Sequence, residues 1–226
     1  DKPMKKRILS ILVICCMVLG ILPMTTFANN GGAKAIQLGT SGISGYDSTN
    51  SSYDYIYFGA WNSSPVKWRV LDTKTNMPNA QEGDGFFLLS DALLGTGEFG
   101  GVEFDYTTPY FNDWKGSRAQ DWCNDFYSRS LSITEQKAVL ATSKSDALYG
   151  MYYDASDNIL DGDKVFFLSA EEAENAAYGF TDDNARIANY GDSAYVWWLR
   201  SPRRMNPDSA GTVNEKGAVI GEWVGQ

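Results

Sequence analysis

The chain has 226 residues, a formal net charge of −9 and no histidine. The lack of histidine excludes Ser-His-Asp and Cys-His catalysis, histidine-ligated zinc and a histidine pH switch. The acidic balance disfavours binding to nucleic acid or anionic lipid, and it favours solubility or cationic partners.

The first 28 residues have the pattern of a secretory signal. Basic residues at 5–7 precede an apolar run over 8–24, and Thr-Phe-Ala at 26–28 offers a cleavage site. Asp1–Pro3 stand upstream of the natural-looking start at Met4. The alternative is a transmembrane anchor, but about 17 apolar residues is at the short limit for spanning a bilayer. We therefore expect a secreted or cell-surface protein without membrane contact after cleavage.

Removal of residues 1–28 changes both the charge and the cysteine content. The segment carries four basic residues and one acidic residue, so the remaining chain has a net charge of −12. Cys15 and Cys16 leave with it, and Cys123 alone cannot form an intramolecular disulfide. Stability must then come from a packed core, which the many aromatic residues can supply as a single domain.

The predicted domain follows a flexible leader over residues 29–52 and runs over 53–226. The leader is rich in Gly, Ser, Asn and Thr. Residues 54–61 and 66–72 are β-branched and aromatic and flank a turn-like Asn-Ser-Ser-Pro, which predicts a hairpin. In the second strand Val66, Trp68 and Val70 alternate with more polar neighbours, so one face should be buried.

Two segments share one design, namely residues 83–94 and 162–173. Each is a turn, an apolar strand, a serine and a helix-prone run, and we interpret this as similarity of design rather than duplication. Ser169 and Glu172 fit a capping box in the second, and Gly179 should stop its helix.

The clearest predicted helix covers residues 117–130, opened by a Ser117 and Gln120 capping box. Cys123 falls on its apolar stripe, which favours a buried, inert thiol. A second capping box, Ser132 with Glu135, opens a shorter helix. Short helices among many short strands and long loops predict an α+β domain.

The segment YVWWLRSPRRMNP, residues 195–207, combines core and loop features. Bulky residues on both faces of 195–200 favour a central strand, in which Arg200 needs a buried ion pair. Pro202 removes a donor and should end regular pairing. In the loop that follows, a concentrated positive charge on an acidic protein makes three residues candidate ligand contacts: Arg203, Arg204 and Asn206.

Read in order, the segments IYFGAW, VKWRVLD, FFLLSDALL, WKGSRAQDWCNDFY, SITEQKAVL, DKVFFLSAEEA and WWLRSP resemble an uncharacterised domain family. That family is of unknown function and occurs in secreted and surface proteins of Gram-positive gut bacteria. The resemblance covers residues 54–220. It implies an exported protein with the C-type-lectin-like fold that is shared with formylglycine-generating enzymes and variable receptor proteins.

Two departures qualify what the resemblance implies. Family members usually close with a strand containing a G-V-R-P motif, whereas this chain stops at GEWVGQ, so we expect a missing or replaced closing strand. The enzyme branch of that fold uses a cysteine pair, which a lone Cys123 cannot reproduce. The resemblance therefore implies a fold and a location but no known activity.

Calcium is the one cofactor that the sequence suggests. Four acids crowd the turn-rich stretch DASDNILDGD and offer hard oxygen ligands: Asp154, Asp157, Asp161 and Asp163. The stretch lacks the glycine and terminal glutamate of an EF-hand loop, so an ordinary acidic surface loop is the alternative.

Acids and aromatic residues also meet in the stretch over 98–114. A glycosidase needs two carboxylates about 5–10 Å apart, and this stretch offers Glu98, Glu103, Asp105 and Asp113. The same aromatic residues could instead line a non-catalytic groove for carbohydrate or peptide, with contacts from Asn112, Asp113 and Trp114, or could simply pack under a loop.

The sequence thus predicts a non-catalytic binding module that recognises an extracellular glycan, a cell-wall polymer or a surface protein, as in adhesion. A secreted hydrolase with paired carboxylates is one alternative, and a structural module of a larger surface protein is another. A hydrolase should show two close, partly buried acids with at least one raised pKa, whereas a binding module should show an open aromatic or charged surface.

Overall fold

The structure is a computed structural model and describes residues 12–13, 16–20, 45–73, 85–97, 112–144, 159–203 and 209–223. In these parts it is a mixed, sheet-rich α+β fold, as the sequence predicts. None of the helices in the described ranges is long and apolar enough to cross a membrane.

Two five-stranded sheets form the body of the fold. The first has the order β16-β15-β14-β1-β8 and the second the order β11-β2-β7-β6-β5. The strands of the first sheet are β1 (Leu12–Val13), β8 (Gly95–Thr96), β14 (Trp197–Pro202), β15 (Ser209–Val213) and β16 (Val219–Trp223). Those of the second are β2 (Cys16–Gly20), β5 (Tyr55–Trp61), β6 (Ser64–Asp72), β7 (Gly85–Ser90) and β11 (Val165–Phe166).

The described residues also form three two-stranded ribbons. They are β3 (Tyr46–Asp47) with β4 (Ser52–Tyr53), β9 (Thr142–Lys144) with β10 (Leu160–Asp163), and β12 (Ala188–Tyr190) with β13 (Ser193–Tyr195). The first ribbon contacts β6, which places its tyrosines beside the second sheet.

The predicted hairpin is confirmed as β5 and β6. Asn62 and Ser63 both have positive φ, as a tight type I′ turn requires, so the turn is shorter than the four residues expected. Val66, Trp68 and Val70 are buried. A bulge shifts the register between Tyr57 and Ala60.

Gly59 lies in this bulge with φ +67°, and a side chain there would meet Leu131 at 2.4 Å. The Gly59 N–H donates to the Glu135 carboxylate at 3.0 Å. A glycine is therefore needed where the hairpin docks against the helices.

The strand β14 confirms that the paired tryptophans belong to the core. All six of its residues are buried, and it pairs with β15 on one side and β1 on the other. The strand ends at Pro202, as predicted, although Pro202 itself still stands opposite Ala210. The register shifts between Trp198 and Pro202, and proline is tolerated at such irregularities because a regular ladder hydrogen bond is already lost.

The helices are α1 (Arg118–Ser130), α2 (Ile133–Ala138) and α3 (Ala170–Ala173). The Ser132 and Ser169 capping boxes are confirmed in full. At α1 the Ser117 hydroxyl accepts from the Gln120 N–H, but the Gln120 side chain accepts from the Gly116 N–H. Cys123 is fully buried, as its place on the apolar stripe predicts.

The two segments of similar design diverge after their strands. The second continues into α3, whereas residues 91–94 after β7 bend without forming a helix. Leu93 stands where a capping box needs Glu or Gln, and Asp91 is held by side chains of β6. The helix expected after Ser90 is therefore replaced by a surface bend.

Part of the predicted signal lies inside the fold of the whole chain. The strand β2 pairs with β7 and β11, and Met17 is fully buried. The strand β1 lies between β14 and β8. Cleavage after Ala28 would remove both strands.

Candidate ligand-binding surface

A strip of aromatic and charged side chains lies on the outer face of the β5–β6 hairpin and the β3–β4 ribbon. We call it the tyrosine strip, and it consists of Tyr46, Tyr53, Tyr55, Tyr57, Lys67, Arg69 and Asp91. Strand geometry produces it, because alternate residues point to opposite faces. Ile56 and Phe58 face the core, so Tyr55 and Tyr57 face outwards.

The two tyrosines of β5 are the most accessible part of the strip. Tyr55 is 43% exposed and Tyr57 is 41% exposed. Tyr55 stands opposite Arg69 and Tyr57 opposite Lys67 across the hairpin. The Lys67 ammonium lies 3.8 Å from the centre of the Tyr55 ring, which is within the range of a cation–π contact. A cation therefore lies against the Tyr55 ring, and the residue opposite Tyr57 in the register is the same lysine.

Asp91 holds both cations in place. Its carboxylate accepts from Arg69 Nε at 2.8 Å and pairs with Lys67 Nζ at 3.0 Å. Half-burial alone would raise the pKa of Asp91, but the hydrogen bonds from Arg69 and Lys67 outweigh it and lower that pKa. Asp91 is therefore ionised at neutral pH and fixes two long side chains that would otherwise move freely.

Tyr53 anchors the other end of the strip. Its hydroxyl donates to the Tyr178 carbonyl at 2.8 Å, and its ring lies 4.9 Å from that of Tyr46. Burial raises the pKa of Tyr53 to about 12 in spite of the Arg69 charge. Gly179 has φ +87°, and a side chain there would meet the Tyr53 hydroxyl at 2.3 Å. This left-handed glycine lets the rings close against the turn.

The strip can bind a ligand that is apolar on one face and polar at its edges. Tyrosine rings offer flat apolar area together with a hydroxyl, and Lys67, Arg69 and Asp91 offer donors and acceptors. A sugar ring has this combination of a C–H face and peripheral hydroxyls. The side chains are also pre-positioned by their mutual contacts, which lowers the entropy lost on binding.

A second exposed tyrosine pair lies on the β12–β13 ribbon. Tyr190 is 54% exposed and Tyr195 is 40% exposed, and their rings meet edge-on at 6.3 Å. Among the described residues no cation is recorded over either ring, in contrast to Tyr55. This pair is a matched comparison for the strip.

The predicted contacts at residues 112–114 do not lie on an open surface. Trp114 and Asn112 are fully buried, and Asp113 is half-buried. The Trp114 indole donates to Asp163 at 3.1 Å, and the Asn112 amide donates to the Ser209 carbonyl at 2.7 Å. This corrects the expectation of a surface groove, because both side chains are engaged inside the fold.

The structure does bring Asn112 close to the predicted arginine loop. Its amide also reaches the Arg203 carbonyl at 3.5 Å, although 91 residues separate the two. Arg203 is half-buried, with its aliphatic part packed on Gly221 and its guanidinium 3.4 Å from the Gly221 carbonyl. Arg204 and Asn206 lie outside the described residues.

Two of the four suggested calcium ligands can be placed. Asp163 is buried and accepts from Trp114, Gln120 and the Asp161 backbone N–H. Asp161 is exposed and lies 3.6 Å from the Lys115 ammonium. Asp154 and Asp157 lie outside the described residues. Within the described part of the chain, no group of three or more acids, cysteines or histidines could hold a metal ion.

The acids proposed for hydrolysis are mostly outside the described residues, namely Glu98, Glu103 and Asp105. Among described acids with a shifted pKa, the shift is downwards at Asp47, Asp91 and Glu172. A general acid needs the opposite shift.

Sequence reasoning missed the tyrosine strip although its signal was present. The alternation in DYIYFGAW and VKWRVLD puts Tyr55 and Tyr57 on the face opposite the core, with Lys67 and Arg69 on the neighbouring strand. Asp91 carries no such signal, because it reaches the strip from the bend after β7.

No curated protein and no solved structure matches this chain. A family model described as a domain of unknown function (DUF6273) matches residues 84–224, more than half of the chain. The match includes Asp91 but begins after the β5–β6 hairpin. The resemblance found in the sequence is thus confirmed at the level of an uncharacterised family. The chain belongs to the DUF6273 family of domains of unknown function.

Proposed function

We propose that this protein is a non-catalytic binding module that recognises an extracellular glycan through the tyrosine strip. One observation carries the proposal: Tyr55 and Tyr57 stand exposed side by side, with cations that Asp91 fixes directly opposite them. Aromatic residues that are held rigidly and exposed on one face are typical of binding hot spots.

Export and a C-type-lectin-like relationship belong to the same proposal. The basic start and apolar run of residues 4–28 support export. The WWLRSP strand and the mixed arrangement of short helices and sheets support the fold relationship. N-terminal sequencing of protein recovered from culture medium tests the first point, since a start at Asn29 is expected and a retained Met4 contradicts it.

The binding proposal is tested with a glycan array followed by calorimetry on a retained glycan. A double variant, Tyr55→Ala with Tyr57→Ala, should bind at least about tenfold more weakly, because two stacking surfaces are removed. The matched control is Tyr190→Ala with Tyr195→Ala, which removes an exposed pair of similar accessibility and should leave the affinity unchanged.

Four results would contradict this assignment. Equal losses in the two double variants would show that the strip is not the site. A change in far-ultraviolet circular dichroism in the Tyr55 and Tyr57 variant alone would assign the loss to folding. An array that retains none of its glycans would reject the ligand class, and hydrolysis of a retained glycan would replace binding by catalysis.

A further inference from the structure

The strand β2 occupies a slot between two other strands of the second sheet. It pairs with β7 at every position from Cys16 opposite Leu89 to Gly20 opposite Gly85. On its other side, Met17 pairs with Val165 and Cys16 with Phe166. Both pairings are antiparallel, so β2 is an internal strand with a neighbour on each edge.

The walls of this slot are apolar and inaccessible to solvent. All six residues of β7 are buried, and Val165 and Phe166 of β11 are at most 1% exposed. Met17 is 0% exposed. The slot therefore accepts a side chain into the core of the fold as well as a backbone ladder.

Export as proposed above would remove residues 1–28 and β2 with them. Two strand edges would then face each other with unpaired N–H and C=O groups, next to uncovered apolar side chains. Such edges are strong templates for another strand, and strand addition is an established mode of protein recognition.

We propose that the slot between β7 and β11 is a strand-binding site that takes an extended apolar segment of a second polypeptide once residues 1–28 have been removed. This inference rests on the proposed export.

The geometry defines the chemistry of that partner. It is an uncharged stretch of about five residues that runs antiparallel to both neighbours, with an apolar side chain at the position of Met17 and no proline at paired positions. The chain without residues 1–28 has a net charge of −12, whereas the removed segment has three consecutive basic residues before its apolar run. Basic residues flanking the strand should therefore favour binding to this acidic domain.

The test uses the full chain with a specific protease site inserted after Ala28. The site is cut after purification, so that residues 1–28 are held to the domain only by non-covalent contacts. The probe is a fluorescent peptide with the sequence of residues 5–22, added in excess under reducing conditions. Its matched control carries Met17→Asp, which would place a carboxylate in the core. Fluorescence anisotropy measures binding, and hydrogen exchange of residues 85–90 measures pairing of β7.

We expect saturable binding of the peptide by the cut chain, slow hydrogen exchange over 85–90 in the filled state, and binding at least about tenfold weaker for the Met17→Asp peptide. The uncut chain should bind neither, because its own strand cannot leave. Equal binding of both peptides, equal binding by the uncut chain, or no saturable binding would overturn the proposal. Dimerisation of the cut chain without peptide would assign the slot to a second copy and overturn it as well.

Glycan titration of the same cut protein separates this proposal from the preceding one. Glycan binding with no peptide binding rejects the strand site alone, and peptide binding with no glycan binding rejects the tyrosine strip alone.

Discussion

Two clusters in this protein have the same composition and opposite surroundings. In each, one carboxylate is held by one arginine and one lysine: Glu172 by Arg200 and Lys144, and Asp91 by Arg69 and Lys67. Glu172 and Arg200 are at most 1% exposed, whereas Lys67 of the surface cluster is 39% exposed. The comparison separates charge that stabilises the fold from charge that remains available to a ligand.

The buried cluster is fully engaged within the fold. The Arg200 guanidinium also donates to the Phe167 carbonyl at 2.7 Å, and the Glu172 carboxylate also accepts from the Ser169 N–H at 2.8 Å. At the strip, by contrast, the three charged side chains are only partly buried, and the rings of Tyr55 and Tyr57 stay exposed. Burial, rather than the residue types, therefore decides which of the two clusters has side chains open to solvent.

The largest expected effect comes from breaking the buried pair. Arg200→Met leaves the Glu172 charge in the core with Lys144 alone and should lower the free energy of unfolding by about 3–5 kcal/mol. Urea denaturation measures this, and Asp91→Asn is the matched control, with a loss of at most about 1 kcal/mol. Adding Glu172→Gln to Arg200→Met should recover part of the loss, because glutamine can still cap Ser169. Equal losses at the two clusters would show that burial does not separate their contributions to stability.

Acid should act on the buried cluster next. Burial would raise the pKa of Glu172, but the Arg200 and Lys144 charges outweigh it and hold that pKa well below 4.5. The stabilisation is therefore present above pH 4.5 and is lost as the pH falls below that value towards the folded-state pKa. Urea unfolding measured between about pH 6 and about pH 3, which spans the titration range of glutamate, gives the free energy of unfolding at each pH. This free energy should fall less steeply with falling pH for Glu172→Gln than for the native chain. Parallel slopes would contradict this.

A smaller effect is expected at Tyr53. Tyr53→Phe removes the hydroxyl that donates to Tyr178 and should cost about 1 kcal/mol. Because folding raises the pKa of Tyr53 from 10.0 to about 12, its stabilisation is present below pH 10 and is lost as the pH rises towards 12. Spectrophotometric titration near pH 11 should detect the same number of ionised tyrosines in both proteins. One more tyrosinate in the native chain would mean that Tyr53 titrates normally.

The smallest expected effect on stability is at Asp91, where the effect on ligand binding should be large. Asp91→Asn releases Lys67 and Arg69, so glycan affinity should fall by about tenfold while the free energy of unfolding changes by at most about 1 kcal/mol. Asp161→Asn, which removes another exposed pair, is the control and should leave affinity unchanged. A stability loss as large as that of Arg200→Met would make Asp91 a structural residue.

Local sequence patterns determined much of the fold of this protein. The hairpin of β5 and β6, the Ser132 and Ser169 capping boxes and the buried Cys123 all follow from the spacing of neighbouring residues. The buried ion pair at Arg200 followed from its place between bulky residues, since an isolated charge cannot be buried. Family membership was also visible in the order of the motifs.

Only the tertiary structure decided how distant segments meet. It buried Trp114 against Asp163, although the surrounding acids and aromatics suggested a surface groove. It brought Asp91 to Lys67 and Arg69 by bending the chain where a helix was expected. It also inserted β2, which belongs to the predicted signal, between β7 and β11. Hydrophobic spacing fixes which face of a strand is buried, but the partner that covers it depends on long-range packing, which a local pattern does not encode.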